Sequence, residues 1–229
     1  MGHHLLEQEI QWSSPAWGNY FRFLLDHPEL RQYTPWSDKA LAEDVDQWLG
    51  AAGLWQTARI LDIGSGFGLY AIEFAKRGHS VVAVECVESF VRTSRELARD
   101  ADVEVEWMRA KFPCPIQGTF DLACVTRCFS LWDHGYREVL RSIRSLLKPG
   151  GVLITDGHSP ARPFSESREG DWHLREDGSI VNWRQGTGHN LLSGTLPDYF
   201  DKHQILEQAV PRAGFEVQTN HPWLIGTVA

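Results

Sequence analysis

The segment from Ala58 to Gly78 constrains the fold more than any other part of the chain. The apolar run ARILDI at 58–63 ends at a cluster of glycines, which predicts a buried β-strand. Residues 67–78 then carry apolar side chains at mostly helical spacing and stop at Gly78, a residue typical of helix C-termini. A strand that ends in glycines opening a helix lets backbone N–H groups approach a ligand, so this segment also predicts a binding site.

The same alternation of strand and helix continues to Asp156. Further strands are predicted at 80–85, 103–107, 120–126 and 151–156, and further helices at 89–100 and 136–151. Strands that alternate with helices of this length form a parallel sheet covered on both faces. Because the crossovers are right-handed, the sequence predicts a doubly wound α/β fold.

Two regions flank this core. Residues 1–55 have a helical pattern rich in aromatic residues and are predicted to form an N-terminal helical cap. Within this region Ser37 is predicted to be the N-cap residue of a helix. Residues 56–229 are predicted to form the main domain. Within it, residues 157–198 are rich in Gly, Ser, His, Arg and Trp, and we expect an insertion of irregular structure or a small antiparallel ribbon. A helix, a turn and a strand are expected from Tyr199, with a final strand in the tail.

Composition and charge exclude several classes of protein. The chain has 229 residues, of which 42% are apolar and 23% charged, a globular composition without an apolar run long enough for a membrane span. Its 22 basic and 30 acidic residues give a net charge of −8, which argues against a sequence-independent nucleic-acid binder but leaves room for a local basic patch. Four cysteines and a start without signal-peptide features favour a cytoplasmic protein with free thiols.

The spacing of the glycines discriminates between ligands. A dinucleotide fingerprint has the pattern G-x-G-x-x-G, whereas here the third glycine, Gly68, comes one place early. A G-x-G-x-G loop with Asp62 two residues before it resembles motif I of the class I S-adenosylmethionine-dependent methyltransferases. Glu85 ends the second predicted strand 21 residues after Gly64, a suitable place for a carboxylate that accepts the ribose hydroxyls.

Three later segments strengthen this resemblance. Phe120-Asp121-Leu122 resembles the start of the family's fourth strand, the LLKPGG run at 146–151 resembles the turn before its fifth, and the RAGF run at 212–215 resembles the entry to its sixth. The similarity covers residues 56–229. It implies a mostly parallel seven-stranded sheet of Rossmann-like type, S-adenosylmethionine as cofactor with S-adenosylhomocysteine as product, and methyl transfer to an oxygen or nitrogen of a small molecule.

The resemblance also implies roles for individual residues. The methionine moiety would be held by Asp62, Gly64, Ser65, Gly66 and Gly68, the ribose by Glu85, the adenine by Cys86, and the amino group by the backbone of Thr126. One departure concerns the stretch after the third strand, where the family commonly has an acid that binds the adenine amino group. This chain has Met108-Arg109-Ala110-Lys111 there, so the backbone N–H groups of Ala110 and Lys111 are expected to hold the adenine instead.

Candidate catalytic and substrate-binding residues follow the predicted strands, at the sheet edge where such folds bind ligands. His134 and His158 are candidate general bases. Tyr20, Arg127, Trp132 and Trp172 are candidate acceptor-binding residues, although aromatic residues in these regions equally suit plain packing. Asp156 and His158 form a pair without a third nearby ligand, so no metal site is predicted.

Two alternatives to a methyltransferase remain open. One is a nicotinamide-dependent oxidoreductase. The displaced third glycine and the LLKPGG turn argue against it. The other is a cofactor-binding scaffold or partner subunit that has the fold without the chemistry, which the missing adenine acid favours.

Overall fold

The structure, a computed structural model, describes residues 24–27, 31–32, 36–126, 128, 136–156, 168–169, 172–174, 180–182, 206, 209–220 and 223–228. The strands within these ranges are β1 (Arg59–Ile63), β2 (Ser80–Glu85), β3 (Glu106–Arg109), β4 (Phe120–Val125), β5 (Leu147–Asp156), β6 (Arg168–Glu169), β7 (Trp172–Leu174), β8 (Ile180–Asn182), β9 (Phe215–Asn220) and β10 (Trp223–Val228). The helices are α1 (Asp38–Ala51), α2 (Leu69–Lys76), α3 (Glu88–Asp100) and α4 (Tyr136–Leu146).

Seven of the strands form one sheet in the order β3-β2-β1-β4-β5-β10-β9. The first five are parallel to one another, and β10 runs antiparallel to both β5 and β9. This confirms the predicted mostly parallel seven-stranded sheet. The strand order reverses between β1 and β4, and ligands of doubly wound folds bind at the carboxyl edge of the sheet beside such a reversal.

The helices cover the two faces of the sheet. Side chains of α1 and α2 pack with Ile60, Ala83 and Ile154 in one buried cluster, and those of α4 pack with Leu61, Val84 and Leu153 in the other. Alternate residues of each buried strand therefore face opposite cores, as the two-residue period of a strand requires.

Helix α1 belongs to the core, although the sequence analysis assigned it to a separate cap. Its N-cap is Ser37, as predicted, whose Oγ accepts from the N–H of Ala40 at 3.1 Å. Trp48 is fully buried, with its ring centroid 4.7 Å from that of Tyr70 and 4.9 Å from that of Trp223. The described part of the predicted cap thus packs directly on the sheet, because its apolar residues lie on one helical stripe.

Several element boundaries differ from the sequence-based expectations, most clearly the start of the third strand and the junction between α4 and β5. The third strand begins at Glu106 instead of residue 103, because the N–H of Val103 bonds to Ala98 O and closes the end of α3. Helix α4 ends at Leu146 instead of residue 151, because the buried Leu147 already pairs with Phe120 in the sheet. A local capping bond sets the first boundary and a strand pairing sets the second, and each overrides the apolar pattern.

Strands β6, β7 and β8 form a separate antiparallel sheet within the predicted insertion, with Arg168 opposite His173 and Trp172 opposite Asn182. The described residues of the insertion therefore agree with the predicted antiparallel ribbon. In the part of the chain that the structure describes, no helix combines the length and apolar character needed to cross a membrane.

Candidate functional site

The glycine loop at 64–68 lies between β1 and α2, at the carboxyl edge of the sheet. The N–H groups of Gly64 and Ser65 both donate to Val84 O, at 2.8 and 3.1 Å, so the loop is fixed to the end of β2. Its three glycines have φ angles of 69°, 55° and 69°, in the left-handed region. Glycine adopts this backbone without steric cost, which explains the G-x-G-x-G pattern.

The three glycines differ in what surrounds them. A Cβ on Gly64 would collide with the Sγ of Cys128, and a Cβ on Gly68 would collide with the indole of Trp107. A Cβ on Gly66 would have no atom of the described residues within 4 Å. The protein's own side chains therefore fill the space beside the outer two glycines, whereas in the described part of the chain the middle glycine borders open space that a ligand can enter.

The Glu85 carboxylate stabilises this loop through hydrogen bonds with backbone N–H groups. Its side chain is 8% exposed and accepts from the N–H groups of Gly66 at 2.9 Å, Cys86 at 2.7 Å and Val87 at 2.9 Å. Burial raises the pKa of Glu85, and these bonds, with one from the Cys86 thiol, oppose that effect. A carboxylate has about four acceptor positions, so a ribose hydroxyl would have to replace the thiol or share an oxygen with a backbone N–H.

Asp62 is the second buried carboxylate of the site. It is 3% exposed, and its Oδ2 has no hydrogen-bond partner among the described residues. Burial raises the pKa of Asp62 from 3.8 to about 7; the nearby Glu85 raises it further, whereas a hydrogen bond from the Ala71 backbone lowers it. The Oγ of Ser65 is also buried without a partner in the described part of the chain. Unsatisfied buried polar groups of this kind fit a cationic, hydrogen-bonding ligand.

The remaining predicted cofactor residues lie around the same edge. Thr126 follows β4 and is 8% exposed, Cys86 follows β2 and is half-buried, and Lys111 is half-buried after β3. The N–H of Ala110 donates to Glu85 O at 3.0 Å, so in this structure it is not available to an adenine ring. Asp62, Glu85 and Thr126 thus mark the ends of three adjacent strands.

Several predicted site residues lie outside the described ranges. These are both candidate bases, His134 and His158, and the candidate acceptor residues Tyr20, Arg127 and Trp132. Trp172 begins β7, but its side chain is not described. Among the described residues, no three His, Cys, Asp or Glu side chains are grouped so as to hold a metal ion.

Sequence reasoning missed three residues that contact the loop. Trp107 and Cys128 fill the space beside the outer glycines, and the Ser94 hydroxyl donates to Gly66 O at 3.2 Å. The alternation of β3 indicates the face on which Trp107 lies. No local pattern indicates a contact between residues 39 positions apart in the chain.

The sequence is similar to those of known methyltransferases. Residues 60–151 match the family model described as a methyltransferase domain. The ubiquinone biosynthesis O-methyltransferase of Xanthomonas campestris pv. campestris (strain B100) is 30% identical over 42% of this chain and 41% of that protein. The tRNA 5-carboxymethoxyuridine methyltransferase of Escherichia coli (strain K12) is 28% identical over 55% of this chain and 47% of that protein. The chain therefore spans less than half the length of these two relatives.

The fold itself has solved counterparts. The crystal structure of magnesium protoporphyrin IX methyltransferase from Synechocystis PCC 6803, with S-adenosylmethionine bound, superposes with a TM-score of 0.53 over 82% of this chain and 79% of that one. The sequence identity is 14%, so this similarity shows the fold alone.

Proposed function

Since residues 60–151 match a methyltransferase domain, we propose that the chain is a class I S-adenosylmethionine-dependent methyltransferase and that it transfers a methyl group from S-adenosylmethionine to an oxygen or nitrogen of a small molecule. The observation that carries this proposal is the pairing of an unsatisfied buried carboxylate, Asp62, with the open space at Gly66. A ligand with a cationic end would pair with the Asp62 carboxylate and occupy the space beside Gly66.

The residues present fit this cofactor. Asp62 and the Ser65 hydroxyl would hold its charged methionine end, with Gly64, Gly66 and Gly68 shaping the loop around it. Glu85 would hold the ribose, Cys86 and the backbone of Lys111 the adenine, and the backbone of Thr126 the amino group. When bound, S-adenosylmethionine supplies an electrophilic methyl group and its own leaving group.

The chain's own contribution is then positioning and proton removal. Methyl transfer is an in-line displacement, so the acceptor atom must be held in line with the sulfonium methyl and must lose its proton when it carries one. His134 and His158 follow β4, which pairs with the strand before the glycine loop, and β5, the next strand in the sheet. We assign the general base to one of them, with Tyr20, Arg127, Trp132 and Trp172 binding the acceptor.

The acceptor is proposed to be a small molecule, although one relative modifies tRNA. The described surface carries two short basic stripes, formed by the exposed Arg92, Arg95 and Arg99 of α3 and by the exposed Arg137, Arg141 and Arg144 of α4. Nucleic-acid binders generally neutralise many phosphates, and these two stripes are small against a net charge of −8. All four cysteines are free thiols, the state in which a reducing compartment keeps cysteines. We therefore propose a cytoplasmic location.

An activity assay separates these possibilities. We expect the protein to form S-adenosylhomocysteine from S-adenosylmethionine only when a panel of small hydroxyl- and amine-containing acceptors is present, and not with total tRNA. His158→Ala or His134→Ala should lower kcat by ~100-fold or more while the affinity for S-adenosylhomocysteine is retained. Binding without turnover on any acceptor would favour the scaffold, and binding of NADH in place of S-adenosylhomocysteine would favour the oxidoreductase.

A further inference from the structure

Trp107 contacts the glycine loop from the edge strand of the sheet. Its Cζ3 lies 2.7 Å from the position that a Cβ on Gly68 would take, and its Cη2 lies closer still. We propose that Trp107 is a positioning residue for the cofactor site: its indole holds the loop in the shape that leaves Gly66 open. This inference rests on the proposed function, because it assumes that the loop binds the cofactor.

This contact is one of several that residues of α3 and β3 make with the same side of the glycine loop. Ser94 is fully buried, and its Cβ lies 3.1 Å from the same position beside Gly68. Its hydroxyl lies within hydrogen-bond distance of two carbonyl oxygens, Gly66 O at 3.2 Å and Phe90 O at 2.8 Å, which share its one proton. The rings of Phe67 and Phe90 lie 4.4 Å apart. Helix α3 and strand β3 therefore contact the loop at three consecutive residues, 66 to 68.

These contacts restrict a backbone that glycine would otherwise leave adjustable. Gly68 is the N-cap residue of α2, at φ 69°, and no side chain caps the helix there. A loop with a free glycine at this point samples more conformations, and ordering it on binding costs affinity. The indole beside Gly68 excludes those conformations before the ligand arrives, which is a contribution to affinity without any contact with the ligand.

The surroundings of Trp107 make this effect separable from stability. The indole is half-buried: it packs against the cluster that contains Tyr70 and Ala83, and it also lines a surface groove of about 980 Å³ between α3 and the starts of β2 and β3. Truncation of a half-buried side chain beside a groove leaves no closed cavity, so the loss of stability should be smaller than for a fully buried tryptophan.

A double-mutant cycle tests the proposal, with Trp107→Leu, Gly68→Ala and the double variant titrated with S-adenosylhomocysteine. Trp107→Leu should weaken binding ~5- to 10-fold, and Gly68→Ala more, because its methyl group forces the indole and the loop apart. In the double variant the methyl group enters the vacated space, so binding should recover at least ~3-fold over Gly68→Ala. The strain of alanine at positive φ is present with and without Trp107 and cancels in the cycle.

Trp107→Phe is the variant that separates positioning from folding. Phenylalanine keeps the packing against the cluster but lacks the outer ring that reaches Gly68. It should melt within a few degrees of the wild type yet bind S-adenosylhomocysteine as weakly as Trp107→Leu, and it should raise KM for the cofactor with little change in kcat.

Two results would overturn the inference. If the wild type binds and the effects of Trp107→Leu and Gly68→Ala simply add, or if Trp107→Phe binds normally, Trp107 has only a packing role. If the wild type itself fails to bind S-adenosylhomocysteine, the proposed function fails and this inference fails with it.

Discussion

Asp62 and Glu85 end adjacent strands, and their surroundings give them different tasks. Glu85 accepts three backbone N–H groups and so fixes the loop, whereas Asp62 keeps a buried oxygen without a partner in the described part of the chain. Burial raises the pKa of both, to about 7 in Asp62. Asp62 is therefore the carboxylate that a cationic ligand would satisfy, at a cost to the ligand-free protein.

Because the buried Asp62 carboxylate has a raised pKa, the free energy of unfolding of the ligand-free protein should depend on pH. With the pKa of Asp62 raised from 3.8 to about 7, the folded protein holds a proton that the unfolded chain loses in this window, so the ligand-free protein loses stability as the pH rises through it. Asp62→Asn cannot ionise. At about pH 8 its Tm should exceed that of the wild type by ~2–4 °C for each kcal/mol of destabilisation that the ionised Asp62 causes. It should also bind S-adenosylhomocysteine more weakly.

Thermal melts of both proteins at about pH 5 and pH 8 check this prediction. The difference in Tm between Asp62→Asn and the wild type should be larger at the higher pH. An equal difference at the two values would mean that Asp62 does not titrate in this range.

Glu85→Ala should weaken binding of S-adenosylhomocysteine ~10- to 100-fold, because a charged hydrogen-bond acceptor is worth about 1.5–3 kcal/mol. It should also lower Tm, since the N–H groups of Gly66, Cys86 and Val87 lose their acceptor. The exposed Glu106 of β3 provides the control, and Glu106→Ala should change neither quantity. A change in affinity of less than twofold for Glu85→Ala would remove Glu85 from the site.

At the scale of elements, the parallel strands and the helices between them were predictable because most have a clear apolar period and several are bounded by a glycine or proline. The boundary at the end of α4 was wrong because Leu147 pairs with Phe120, a partner distant in the chain, and the start of β3 was wrong because a bond from Val103 to Ala98 extends the end of α3. Helix α1 shows the same limit: its pattern predicts a helix, but only the structure shows that Trp48 packs against Tyr70 and Trp223.

The burial of α1 predicts unequal effects of two nearby tryptophans. Trp48→Ala should lower the free energy of unfolding by ~3–5 kcal/mol, because the fully buried indole would leave a cavity in the core. Trp55→Ala, at a side chain 80% exposed, should change it by less than ~0.5 kcal/mol. Chemical denaturation measures both. Similar losses for the two variants would show that α1 does not belong to the core.

At the scale of the whole molecule, the chain leaves the sheet for its insertion at the edge where the glycine loop lies. Strand β5 ends at Asp156 on that edge, opposite Trp223 of β10, and residues 157–198 follow directly. We propose that this insertion, with the N-terminal residues, covers the acceptor. A cover that excludes water would strengthen electrostatic interactions at the reacting atoms.

Limited proteolysis tests the cover. Cleavage within 157–198 should slow when S-adenosylhomocysteine and acceptor are both bound, and cleavage of the exposed segment around Trp55 serves as the internal reference. Equal cleavage rates in the free and bound states would place the acceptor elsewhere.

The candidate site was predictable only in part, for a physical reason. Asp62, the loop glycines and Glu85 stand in one βαβ unit, where strand, turn and helix fix their relative positions. Trp107 and Cys128 reach the same loop from β3 and from the segment after β4, so their contacts depend on how the sheet is assembled. The use of the Ala110 N–H by Glu85 O likewise depends on the pairing of β2 with β3.

The most direct test of the central claim is calorimetric titration of S-adenosylhomocysteine into the wild type, Gly66→Val and Gly53→Val. Both glycines have positive φ, 55° and 67°, and a Cβ on either would have no atom of the described residues within 4 Å, so the two variants share the backbone strain. Only Gly66 lies in the cofactor loop. The wild type and Gly53→Val should bind within about threefold of each other, and Gly66→Val should show no binding. Normal binding by Gly66→Val, or none by the wild type, would contradict the assignment of this loop to S-adenosylmethionine.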